Sequence, residues 1–113
     1  MTNTETTTGL TTVSDATFAH TVLDAPLPVL VEFTAHWCPP CRMIEPVLTE
    51  IAAEQSDRLT VVQLDVDANP VTTAAYSVLS MPTLMVFRNG TAIHTLVGAR
   101  SKRRLLTELA DAL

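Results

Sequence analysis

Apolar positions along this chain change period several times, and each change marks an element. Val29, Leu30, Val31 and Phe33 run almost without interruption, with Glu32 set among them, the pattern of a buried strand over residues 29–34. After a short turn, Met43, Ile44, Val47, Leu48 and Ile51 recur at helical spacing as far as about Gln55. Pro46 lies inside that helix, where it removes one ladder hydrogen bond and predicts a kink. Residues 59–66 carry Val61, Val62, Leu64 and Val66 and predict a second buried strand. Upstream, Ser14 or Asp15 can cap a short helix with Phe18, Val22 and Leu23 on one side. Ala25-Pro26-Leu27-Pro28 then breaks the chain.

The second half is punctuated by turn residues. Asp67-Ala68-Asn69-Pro70 opens a short helix reaching about Tyr76. Residues 83–87 and 92–97 flank Asn89-Gly90, the strongest short-range signal for an antiparallel hairpin. Gly98 ends that pair, and Ser101 can cap a last helix with Leu105, Leu106, Leu109 and Leu113 on its inner face. The order reads as βαβαβ through residue 76, then a hairpin and a final helix. Crossover connections followed by an antiparallel edge give one mixed sheet with helices on both faces, an α/β sandwich. The Thr-rich residues 1–10 offer little to bury and are expected to form a disordered extension, leaving 11–113 as one domain.

Composition narrows the chemistry. A hydrophobic fraction of 47% with 17% charged residues suits a compact soluble globule. The net charge of −5 argues against nucleic acid or an anionic membrane as partner. No apolar stretch approaches the length of a bilayer span, and the first dozen residues lack the marks of a secretory signal, so the reducing cytoplasm is the expected compartment. Two cysteines are too few for a disulfide scaffold, and their spacing, Cys38-Pro39-Pro40-Cys41, points to redox or metal chemistry. Zinc needs four ligands, and here the cysteines are accompanied only by scattered His20, His36 and His94. Haem attachment needs a His after the second Cys, where this chain has Arg42. No metal or other cofactor is expected.

The position of the pair favours redox chemistry. Cys38 falls at the junction of a strand and a helix N-terminus, where unpartnered N–H groups and the helix dipole stabilise an anion. A thiolate forms more easily there, and the thiolate is the reactive species. A second thiol one turn further in can attack a mixed disulfide formed at the first. Thiol–disulfide exchange is the reaction this arrangement suggests. Pro39 and Pro40 carry no backbone donor, so the Cys41 N–H is the nearest one available to a Cys38 thiolate.

The chain resembles the thioredoxin family over nearly everything from about Thr12 onward. The residues that carry the resemblance are Ala35-x-Trp37-Cys38-x-Pro40-Cys41, Pro46, Asp67-x-Asn69-Pro70, Met81-Pro82-Thr83, Phe87-x-Asn89-Gly90 and Gly98. It implies a three-layer α/β/α thioredoxin fold with a central mixed sheet. It also implies a protein-disulfide reductase cycling between a Cys38–Cys41 disulfide and its dithiol, with Cys38 as nucleophile, partly exposed, and Cys41 as resolving thiol. The implied partners are disulfide-containing client proteins and an NADPH-dependent flavoprotein thioredoxin reductase, the chain itself being a monomer. Pro82 would be a cis-proline that turns the Met81 backbone toward an extended substrate. Trp37, Leu79, Met81, Pro82, Gly98 and Ala99 would form the substrate-binding rim.

Several positions depart from the family pattern. Pro39 stands where a Gly is commonest, a Cys-Pro-Pro-Cys form also seen in the larger tryparedoxins and nucleoredoxins. Glu32 stands where the family carries a buried Asp that moves the proton of the second cysteine, so Glu32 is the implied proton acceptor for Cys41, through water. Gln63 replaces a Lys near that carboxylate, and Thr34 replaces an aromatic residue. Arg100, Lys102, Arg103 and Arg104 read as a solvated helix face, and His36 as a surface residue near the site. Two alternatives stay open at this point: an oxidant, isomerase or single-partner reductant on the same fold, and a binding module whose thiols are incidental.

Overall fold

The computed structural model describes residues 10–113. One five-stranded sheet organises them, in the order β1-β3-β2-β4-β5. The strands are β1 (Thr11–Thr12), β2 (Val29–Thr34), β3 (Thr60–Asp65), β4 (Thr83–Arg88) and β5 (Thr91–Val97). β3 runs parallel to both β1 and β2, and β4 runs antiparallel to β2 and β5. The helices are α1 (Pro39–Glu54), α2 (Pro70–Ala75) and α3 (Lys102–Leu109). The sheet is mixed, as the sequence predicts.

β2 is buried along its whole length because it is the central strand, covered on both faces. Its alternation separates two apolar layers. Val29, Val31 and Phe33 join Val62, Leu64, Met85 and Phe87 under Val13, Phe18 and Val22. Leu30 joins Val61, Leu84 and Val86 under Ile44, Leu48 and Ile51 of α1 and Leu105 and Leu109 of α3. By the same alternation Glu32 and Thr34 share the Leu30 face. The Phe18, Tyr76 and Phe87 rings meet at centroid distances of 5.0–5.6 Å, two of the three contacts edge-on.

The hairpin closes on Asn89 and Gly90, both at positive φ, with Arg88 paired to Thr91 across the two-residue turn. Pro46 sits inside α1 without ending it. Ser101 caps α3 by accepting from the Arg104 N–H at 3.2 Å.

The N-terminal segment differs from expectation. A two-residue strand, β1, completes the βαβαβ order; its two exposed threonines give no apolar pattern, and only backbone pairing to Val62 and Gln63 defines it. Leu10, placed in the expected disordered extension, is buried at 1% exposure; residues 1–9 lie outside the described residues. The short helix expected after Ser14 is instead a run of turns followed by a π-helical turn, Ala19–Leu23. Ser14 does hold its start, its carbonyl accepting from the Thr17 and Phe18 N–H groups. Asp15 turns away to α2, where its carboxylate accepts from the N–H groups of Val71 at 3.2 Å and Thr72 at 2.8 Å. Asn69, the residue preceding that helix, spends its own side-chain carbonyl on the Asp15 N–H at 2.8 Å. Each residue therefore does the other's capping.

Candidate active site

Cys38 is the N-cap of α1, with extended backbone (φ −105°, ψ 99°), and Pro39 and Pro40 open the first turn. The two cysteines are disulfide-bonded, with Cα atoms 5.3 Å apart. The Cys41 N–H donates to the Cys38 sulfur at 3.2 Å, the contact the two prolines leave as the first available. A thiolate at this position would receive that N–H together with the positive end of the α1 dipole.

Exposure of Cys38 differs from the partial exposure expected. It is buried at 3%, and Cys41 at 0%. The reason is packing from outside the motif: the Met81 carbonyl oxygen stands 3.5 Å from the Cys38 sulfur, and the half-buried Met81 side chain packs against the same core cluster. The Met81–Pro82 peptide is cis. The Pro82 carbonyl accepts from the Gly98 N–H at 2.8 Å, so Met81, Pro82 and Gly98 are joined beside the sulfur. Ala99 follows, exposed. Trp37 is 64% exposed, and its indole Nε1–H donates to Asp67 at 2.8 Å, while Leu79 is 91% exposed. Both are large apolar side chains left open to solvent.

Glu32 is fully buried on β2, paired across the sheet with Gln63 and Leu84. Gln63 donates from Nε2 to Glu32 Oε1 at 3.3 Å, whereas Oε2 has no hydrogen-bond partner among the described residues. Burial, aided by the negative charge of Glu45, pushes the Glu32 carboxyl up to about 8, with Gln63 and the Thr34 hydroxyl opposing. The neutral amide at position 63 is too weak a counterweight to hold the anion at neutral pH. Glu32 is thus about one-tenth ionised at pH 7.

Sequence reading passed over one feature and misread another. Glu45 lies one turn after Cys41 on α1, half-buried, and accepts from the Thr34 hydroxyl at 3.4 Å; its i+4 spacing from Cys41 was the available signal. Arg100 is not part of a solvated face: its side chain is 6% exposed and paired to Glu108 at 2.7 Å, and it also donates to the Val97 and Gly98 carbonyls. Arg100 and then Arg104 hold the Glu108 carboxyl below its ordinary range, against some desolvation. Lys102 bridges Glu50 and Glu54, while Arg103 remains exposed. His36 is a surface residue as expected, 3.3 Å from Asp65. Among the described residues, no group of three or more His, Cys, Asp or Glu side chains could hold a metal.

The chain is similar to known proteins over most of its length. The family model named Thioredoxin matches residues 9–111. A thioredoxin of Mycolicibacterium smegmatis is 50% identical over 103 residues, covering 89% of this chain and 92% of that protein. A thioredoxin of Mycobacterium tuberculosis is 50% identical over 101 residues, covering 89% and 87%. A bifunctional thioredoxin reductase/thioredoxin of Mycobacterium leprae is 48% identical over 101 residues, which are 89% of this chain and 22% of that protein. Likeness over that length, in a chain whose cysteines form a disulfide at the head of α1, shows that it belongs to the thioredoxin family and is a thiol–disulfide oxidoreductase.

Proposed function

We propose that the chain is a reductant of protein disulfides, with Cys38 as nucleophile and Cys41 as resolving thiol. The Cys38 thiolate attacks a client sulfur, forming a mixed disulfide and releasing one client thiolate, which takes up a proton. Glu32, on the sheet face turned to the helix that carries Cys41, accepts the Cys41 proton through water. The Cys41 sulfur then attacks Cys38, releasing the second client thiolate. Two electrons have passed to the client, and the protein is left with the Cys38–Cys41 disulfide. Trp37, Leu79, Met81, Pro82, Gly98 and Ala99 form the rim on which an extended client segment docks.

The observation that carries this reading is the Cys41 N–H that reaches the Cys38 sulfur at the head of α1, beside the Met81 carbonyl. A flavoprotein reductase drawing on NADPH returns the disulfide to the dithiol; the reductase fused to a thioredoxin in the Mycobacterium leprae relative supports that pairing. The protein works as a monomer in the cytoplasm. Among the described residues no helix is long and apolar enough to cross a membrane. Reduction of insulin disulfides with a dithiol donor tests the proposal. Turnover that disappears in Cys38→Ser is expected; an unmodified chain without turnover would overturn it.

A further inference from the structure

A carboxyl at 0% exposure does not touch bulk solvent, so a proton it takes up needs a route to the surface. Glu32 is flanked on its sheet face by Leu30 and, on neighbouring strands, by Gln63 and Leu84. The helices over that face contribute Ile44, Leu48, Leu105 and Leu109, all apolar. Gln63 is an amide, which neither gains nor loses a proton near neutral pH. A hydroxyl can give one proton while accepting another, and among the described residues the buried strand hydroxyl on this face is that of Thr34, one pleat along from Glu32. Thr34 is buried, and its Oγ1 donates to Glu45 Oε2 at 3.4 Å. Glu45 is half-buried and lines an open surface pocket with Arg42, Pro46 and Thr49. Arg42 itself is turned to the His36 carbonyl, and among the described residues no cation pairs with Glu45. Glu32 Oε2 is meanwhile a buried oxygen without a hydrogen-bond partner among the described residues.

We propose that Thr34 and Glu45 form the proton exit for Glu32, carrying the Cys41 proton from the buried carboxyl to the surface pocket. The proposal rests on Glu32 being the proton acceptor for Cys41. The balance is simple. Cys41 loses a proton and Glu32 gains it. Glu32 then passes a proton to the Thr34 oxygen as the Thr34 hydroxyl passes its own to Glu45. Glu45 releases that proton to water, and no electron moves in these steps. The coupling of Glu32 to the Glu45 charge agrees with the two carboxyls being close. Thr34 and Glu45 act through Glu32 and are positioning residues, not catalytic ones.

A chromogenic aromatic disulfide separates the steps, since attack by Cys38 frees one coloured thiolate and closure by Cys41 frees the second. Stopped-flow absorbance on the reduced protein therefore reads two phases. Glu32→Gln should slow the second phase; if it does not, the acceptor assignment falls, and the exit route with it. With that slowing in hand, Thr34→Val and Glu45→Gln should each slow the second phase about tenfold. Added imidazole should then restore the rate in proportion to its concentration. Thr34→Ser, which keeps the hydroxyl, should run at the unmodified rate. A purely structural role would not create dependence on a small exogenous base. If Thr34→Val and Glu45→Gln both close at the unmodified rate, or slow without responding to imidazole, the exit route is overturned while Glu32 keeps its role.

Discussion

Replacing Glu32 with Gln tests how strongly burial acts on this carboxyl. The unfolded chain gives up the Glu32 proton near 4.5, the folded chain near 8. Between those values the folded state holds more protons than the unfolded state, so raising the pH favours unfolding. Stability from this group is complete below pH 4.5, falls through the window and levels off above pH 8. At about 1.36 kcal/mol per pH unit, the whole loss is about 5 kcal/mol, and about 3 kcal/mol of it is present at pH 7. That is a large part of the roughly 5–15 kcal/mol that holds a typical domain together. Glu32→Gln keeps the shape and removes the titration. Urea midpoints of the disulfide form, followed by Trp37 fluorescence from pH 4 to 9, should fall steeply for the unmodified chain. They should stay nearly flat for the variant after the contributions common to both are subtracted. At pH 7 the variant should be the more stable by about 3 kcal/mol, roughly 10–20 °C in Tm. Gln63→Lys, which puts a cation where an amide now donates to Glu32 Oε1, should lower the Glu32 carboxyl in an NMR titration. Parallel stability curves for the unmodified chain and Glu32→Gln would refute the argument.

Cys41→Ser should accumulate mixed disulfides with client proteins at Cys38, seen as reductant-sensitive adducts on a gel; equal trapping by Cys38→Ser would reverse the two roles. Trp37 adjoins Cys38 and is tied to Asp67, so its emission should change on reduction of the disulfide, and an unchanged spectrum would contradict their proximity. Arg100→Met removes the donors to the Val97 and Gly98 carbonyls, and amide exchange at Gly98 should accelerate about tenfold. Unaltered protection there would mean that the Gly98–Pro82 bond alone holds the rim.

Strands and helices whose faces are apolar were legible from period alone, and so was the hairpin, because Asn89-Gly90 supplies the positive φ pair that a two-residue turn needs. β1 was not, since a strand of two exposed threonines exists only through its bonds to β3. The cysteine pair and the Cys41 N–H reaching Cys38 followed from local geometry and from the missing N–H groups of Pro39 and Pro40. The burial of Cys38 did not, because Met81 covers it from 43 residues away. Glu32 could be assigned to the interior from its apolar neighbours, but its coupling to Glu45 requires knowing which face of α1 lies over β2. The basic run 100–104 misled for the same reason. Its charges read as solvated until α1 and α3 are packed together, which brings Lys102 to Glu50 and Glu54, while the chain's return places Arg100 on Glu108.

The exchanged capping between Asp15 and Asn69 makes the amino-terminal segment part of a distant helix. α2 has six residues, too few to persist alone in water, and its first free N–H groups are satisfied from residue 15. Residues 13–18 and α2 should therefore open together as one cooperative unit, well before the sheet does. Acid is one trigger. The Thr72 and Val71 donors hold the Asp15 carboxyl below its ordinary value despite desolvation acting the other way, and protonating it weakens the Asp15 half of the exchange. A protease cutting between Asp67 and Tyr76 in mild acid would be reading the state of a carboxylate more than fifty residues upstream.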